Sequence, residues 1–78
     1  MRTFNEVELR EALQKQEGWL GTQTAVVGHG VGLDKGGGVA IKVFVNGMSK
    51  AGQEAVRSRF VGLPVVIEDH GEIRPQVG

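Results

Sequence analysis

The sequence predicts an α+β fold: a two-layer α/β sandwich of a three-stranded mixed sheet with both helices on one face, in the order helix-strand-strand-helix-strand. Three observations predict it. Leu9, Ala12 and Leu13 recur at helical spacing behind an N-cap signal. From Thr22 the apolar period drops to two, on both sides of a glycine-rich turn at residues 34–38. A second helical stretch then separates that hairpin from the β-branched run Val65-Val66-Ile67.

The first helix is expected over residues 6–17. Asn5 is a good N-cap and Glu8 stands three residues later, the spacing of a capping box, with Phe4 and Leu9 spaced as a hydrophobic staple. Glu6, Glu8 and Glu11 lie early and Lys15 late, which suits the helix dipole. Gly18 is the expected C′ residue, and Trp19 would cover Leu13 in a Schellman-type contact.

The first strand is expected over residues 22–33. One face carries Val27, His29, Val31 and Leu33, and the other carries Val26, Gly28, Gly30 and Gly32. Alternating glycines cost backbone entropy and offer nothing to pack, so they suit a place where another backbone or a partner surface comes close. The second strand, residues 39–46, sets Val39, Ile41, Val43 and Val45 on one face and Ala40, Lys42, Phe44 and Asn46 on the other. Between the two strands, residues 34–38 supply the glycines a hairpin loop needs.

Asn46-Gly47 signals a turn, after which Ser49 caps a helix over residues 50–60 with Ala51, Gly52, Ala55, Val56 and Phe60 on one side. Pro64 can only begin a strand or lie at an edge, so the third strand covers residues 64–69 and leaves residues 74–78 as a tail. A right-handed crossover makes this strand parallel to the second. The glycine-rich strand is expected in the centre, giving the order 2-1-3. Both helices would cover the Val39/Ile41/Val43/Val45 face, leaving the glycines, Ala40, Lys42, Phe44 and Val66 on an exposed, partly apolar face.

The chain has 78 residues, one small domain. A single core of this size supplies only ~3–5 kcal/mol, and oligomerisation is one of the usual reinforcements. Cysteine is absent, which removes disulfides, thiolate metal sites and cysteine nucleophiles and is compatible with the cytosol. Nine basic and nine acidic side chains cancel, so the electrostatic footprint of a nucleic-acid binder is missing. No apolar run approaches the ~18 residues of a membrane span, and the first residues lack the apolar region of a secretory signal. A soluble, cytoplasmic domain is expected.

Three stretches also carry a resemblance: Val-Val-Gly-His-Gly-Val-Gly-Leu-Asp, then Val-Ala-Ile-Lys-Val-Phe-Val, then Leu-Pro-Val-Val-Ile-Glu-Asp-His-Gly-Glu-Ile-Arg-Pro. Together, across residues 26–75, they resemble a small accessory domain of bacterial proteins that precedes trypsin-like serine peptidase domains. In that family a Gly-Val-Gly-Val-Gly strand is followed by a strand, a helix and a further strand of the Gly-Val-Pro-Val … Gly-Glu-Ile kind. The resemblance implies an accessory module without catalytic residues, not a peptidase. His29 stands where that family has an apolar residue.

Sharper chemistry finds little support in the residues. The dinucleotide fingerprint needs a third glycine where this chain has Leu33 or Lys35, and a strand rather than a helix follows the loop. His29 and His70 are the only histidines and the weak candidates for a metal, with Asp34, Glu68, Asp69 and Glu72 as further oxygen ligands. His29 is expected half-buried in its strand and His70 in a turn. The two would approach each other if the third strand paired with the first. Ser49 is explained as a cap and Ser58 as an exposed helix position, so no enzyme activity and no cofactor are implied. A KH-like reading lacks the Gly-x-x-Gly loop between helices, and Glu54 interrupts the basic set Lys42, Lys50, Arg57 and Arg59.

The expectation is therefore a non-enzymatic interaction module, a homodimer or a binder of a protein partner. Its contact would be the face bearing Gly28, Gly30, Gly32, Lys42 and Phe44, or a strand edge extended by β-augmentation. The alternative is a small-ligand or metal-binding domain centred on His29 and His70. If the glycine face is the contact, Gly30→Val should leave the helices folded and abolish association.

Overall fold

The computed structural model describes residues 4–69 of the chain. Its elements are α1 (Glu6–Leu20), β1 (Val26–Leu33), β2 (Val39–Val45), α2 (Lys50–Ser58) and β3 (Val65–Asp69). The expected residues 74–78 tail lies outside the described residues.

The capping box at the start of α1 forms in full. Asn5 Oδ1 accepts the Glu8 N–H at 2.8 Å, and Glu8 Oε1 accepts the Asn5 N–H at 3.1 Å. The helix does not stop at Gly18, as the glycine suggested, but continues to Leu20. Leu20 lies two turns beyond Leu13 on the same stripe and is 1% exposed. Burying a leucine is worth ~1.5–3 kcal/mol, more than the ~1 kcal/mol a helical glycine costs. Gly21 then ends the helix with right-handed dihedrals, so there is no Schellman turn. Instead the Thr22 N–H and hydroxyl both donate to the Trp19 C=O, at 3.0 and 2.6 Å. This turn also delays the first strand, which begins at Val26 rather than Thr22.

The sheet has the order β1-β2-β3, with β1 antiparallel and β3 parallel to β2. The expected order 2-1-3 is therefore wrong: β2 is central and the glycine-rich strand is an edge. The physical reason is burial. The central strand loses most water, and β2 supplies Ile41, Val43 and Val45, all 0% exposed, where β1 offers alternating glycines.

Those three side chains join Leu9, Leu13 and Leu20 of α1, Val56 of α2, and Met48 and Phe60 in one core cluster. The second helix is shorter than the residues 50–60 expected, because Arg59 caps it; Phe60, in the turn beyond, still reaches the core. Ser49 caps its start by accepting the Gly52 N–H at 3.1 Å. Ala51 is exposed and does not share the inner side. A Cβ on Gly52 would stand 2.7 Å from Met48 Cγ, so the glycine makes room for that buried methionine.

A bulge shifts the register at the start of β1: Val26 pairs with Val45, while Gly28 pairs with Phe44. Val26 accordingly packs against the core, contrary to the simple alternation, and Val27, the extra residue, is 62% exposed. Three turns among the described residues need positive φ, at Gly37 (+88°), Gly47 (+71°) and Gly62 (+82°). The Gly47 N–H also donates to Asp69 Oδ1 at 3.0 Å, tying the turn after β2 to the end of β3. No helix among the described residues is long and apolar enough to cross a membrane.

Candidate functional site

Residues paired directly across strands share a face, so the register defines both sides of the sheet. Gly28 pairs with Phe44 and Phe44 with Glu68; Gly30 pairs with Lys42 and Lys42 with Val66; Gly32 pairs with Ala40. Gly28, Gly30, Gly32, Lys42 and Phe44 thus share the face opposite the core cluster, as the alternation predicted.

The glycines on that face are not equally bare. A Cβ on Gly28 would meet Phe44 Cδ2 at 3.6 Å, and one on Gly32 would meet Lys42 Cδ at 3.4 Å. Only Gly30 has nothing within 4 Å of its Cβ position. Two of the three glycines therefore make room for side chains of the neighbouring strand rather than for a partner. Lys42 continues past Gly32 to Glu68, with Nζ 3.2 Å from Oε2. Beside this pair lies an open cleft of about 520 Å³, lined by Leu33, Asp34, Lys42, Val66 and Glu68 among others.

The glycine loop between β1 and β2 is closed on itself. Asp34 Oδ1 accepts the N–H groups of Gly36 and Gly38 at 2.9 and 3.0 Å, and the Asp34 C=O accepts that of Gly37 at 3.1 Å. The aspartate carboxylate occupies the amides that a phosphate loop would offer its ligand.

His29 lies on the other face, paired with Val43, itself paired with Ile67. It is exposed, not half-buried, because β1 is an edge. The strand β3 adjoins β2 and not β1, so His29 and β3 stand roughly two strand spacings, ~10 Å, apart. His70 and Glu72 lie outside the described residues. Among the described residues no three His, Cys, Asp or Glu side chains converge as metal ligands. Ser49 is occupied as a cap, and Ser58 Oγ donates to the Ala55 C=O at 2.8 Å. The basic set is dispersed: Lys42 is on the open face with Glu68, while Arg59 stands 4.4 Å over the Trp19 ring.

The edge of β1 is the feature the sequence reading did not locate. Asp34 donates its N–H to Gly38 at 2.8 Å, and Ile41 donates its N–H to Pro64 of the other flank at 2.9 Å. In an antiparallel ladder the direction of these groups alternates residue by residue. Gly28, Gly30 and Gly32 therefore turn their N–H and C=O groups towards β2, while His29, Val31 and Leu33 turn theirs outward. A missed signal was the composition of β2, which is apolar at every position but Lys42 and so suits a central strand.

Comparison of this chain with protein-family models, curated proteins and solved structures finds no match.

Proposed function

We propose that this chain is a non-enzymatic interaction module that works through its sheet, by self-association or by capture of a protein partner. The observation that carries this reading is the position of β1. An eight-residue strand with no Lys, Arg, Asp, Glu or Pro stands at the edge of the sheet. Edge strands are ordinarily guarded by charges, prolines or bulges, and here the one bulge is confined to the start of the strand. The open face beside it adds Phe44 and the bare Gly30 to the same surface. The motif resemblance to an accessory domain without catalytic residues supports the same reading.

Light scattering at two protein concentrations tests it. The self-association branch predicts a mass rising from 8.3 kDa towards twice that value. A mass fixed at 8.3 kDa at both concentrations would remove that branch.

A further inference from the structure

We infer that the partner of β1 is a second copy of this chain, added antiparallel about a two-fold axis at Gly30, so that two three-stranded sheets join into one. This rests on the self-association branch above and specifies its geometry.

The outward groups of the edge belong to His29, Val31 and Leu33. A two-fold antiparallel pairing must bring such residues opposite one another, which allows an axis at any residue from His29 to Leu33. With the axis at Gly30, His29 faces the partner's Val31 and Val31 faces the partner's His29. Each such pair exchanges both its N–H···O=C bonds, about four bonds in all. The same register sets Val27 across from the partner's Leu33. These are two of the large apolar side chains left most exposed, at 62% and 61%, and they stand at opposite ends of β1. An axis at His29 would oppose two histidines and move Leu33 past the end of the partner strand. An axis at Val31 would set Val27 against the partner's Lys35, and one at Gly32 or Leu33 would move it past the end of the partner's β1 altogether. Only the Gly30 axis covers both apolar ends.

The other face of the pairing is free of collisions, because Gly30 meets the partner's Gly30 and Gly28 meets the partner's Gly32. Charge favours this edge too. No acidic, Lys or Arg side chain lies within β1, so no like charges are brought together, whereas the β3 edge ends in Glu68 and Asp69. Edge pairing also supplies the oligomeric reinforcement that a core of this size calls for.

The absence of cysteine makes the test direct. Single-cysteine variants Gly30→Cys, His29→Cys, Lys42→Cys and Val61→Cys are oxidised under identical mild conditions, and covalent dimer is read on a non-reducing gel. At the proposed axis two residues 30 lie in a non-hydrogen-bonded pair with Cα atoms ~4.5 Å apart, within disulfide reach. Val61, 81% exposed and remote from β1, reports random collision. Cross-linking of Gly30→Cys about tenfold or more above Val61→Cys is expected, since pairing holds the thiols at high effective concentration. Dominant cross-linking of His29→Cys would overturn this register. Cross-linking of Lys42→Cys at least equal to Gly30→Cys would show face packing and overturn edge pairing while sparing self-association. All variants at the Val61→Cys level would overturn self-association itself.

Discussion

Phe44 lies over Gly28 on the neighbouring strand, its Cδ2 3.6 Å from where a glycine Cβ would stand. An aromatic ring laid across a strand glycine shields backbone that has no side chain of its own, and it recovers packing that the glycine forfeits. The pair explains why an otherwise weak strand holds its place beside β2.

Phe44→Ala should therefore cost about 1–2 kcal/mol, less than the ~3–5 kcal/mol of a fully buried phenylalanine, because the ring is half-buried. Urea denaturation measures this. A double-mutant cycle with Gly28→Ala should give a coupling energy different from zero, whereas strict additivity would mean that the ring does not depend on the glycine.

Ile41→Ala tests the core. Ile41 is 0% exposed at the centre of β2, so the loss should be ~2–5 kcal/mol, a large share of the stability of so small a domain. A cost under 1 kcal/mol by the same denaturation would contradict the central place given to β2.

Two helix glycines should respond with opposite sign. Gly18 is exposed in α1 with nothing within 4 Å of its Cβ position, so Gly18→Ala should stabilise by about 0.5–1 kcal/mol. In α2 the same change at Gly52 sets a methyl 2.7 Å from Met48 Cγ. Displacing that buried side chain should outweigh the propensity gain and destabilise by about 1 kcal/mol. Thermal denaturation of the two variants reads the signs.

Gly30→Val separates the two contact surfaces. Nothing lies within 4 Å of its Cβ position and its φ is not left-handed, so the fold should persist with unchanged or slightly raised stability. Edge pairing about Gly30 retains the dimer, because two valines meet as an ordinary cross-strand pair. Face-to-face packing loses it. Light scattering of the variant at high concentration tells them apart.

Much of this architecture was legible in the chain. The Asn5/Glu8 box, the Ser49 cap, the 34–38 loop and the two-residue alternation of β2 are local signals, and the parallel third strand follows from the helix that carries the chain back along the sheet. What depends on tertiary burial was not legible. Gly18 failed to stop α1 because Leu20 had a core to enter, and Val26 turned to the core because a bulge inserted one residue. Strand order was misjudged because three glycines suggested close approach, when two of them accommodate Phe44 and Lys42 of the adjacent strand. The same misplacement hid the site: a strand expected at the centre has no edge to offer, and His29 is exposed only because β1 ends the sheet.

The central claim is that the outward amides of β1 are paired between copies. Amide hydrogen exchange at His29 and Val31, followed by NMR across a concentration series, measures those groups directly. Protection of both amides that rises with protein concentration, while Gly30 stays protected throughout by its bond to β2, is the predicted result. Rapid exchange at His29 and Val31 at every concentration, in a chain shown by its other amides to be folded, would contradict it.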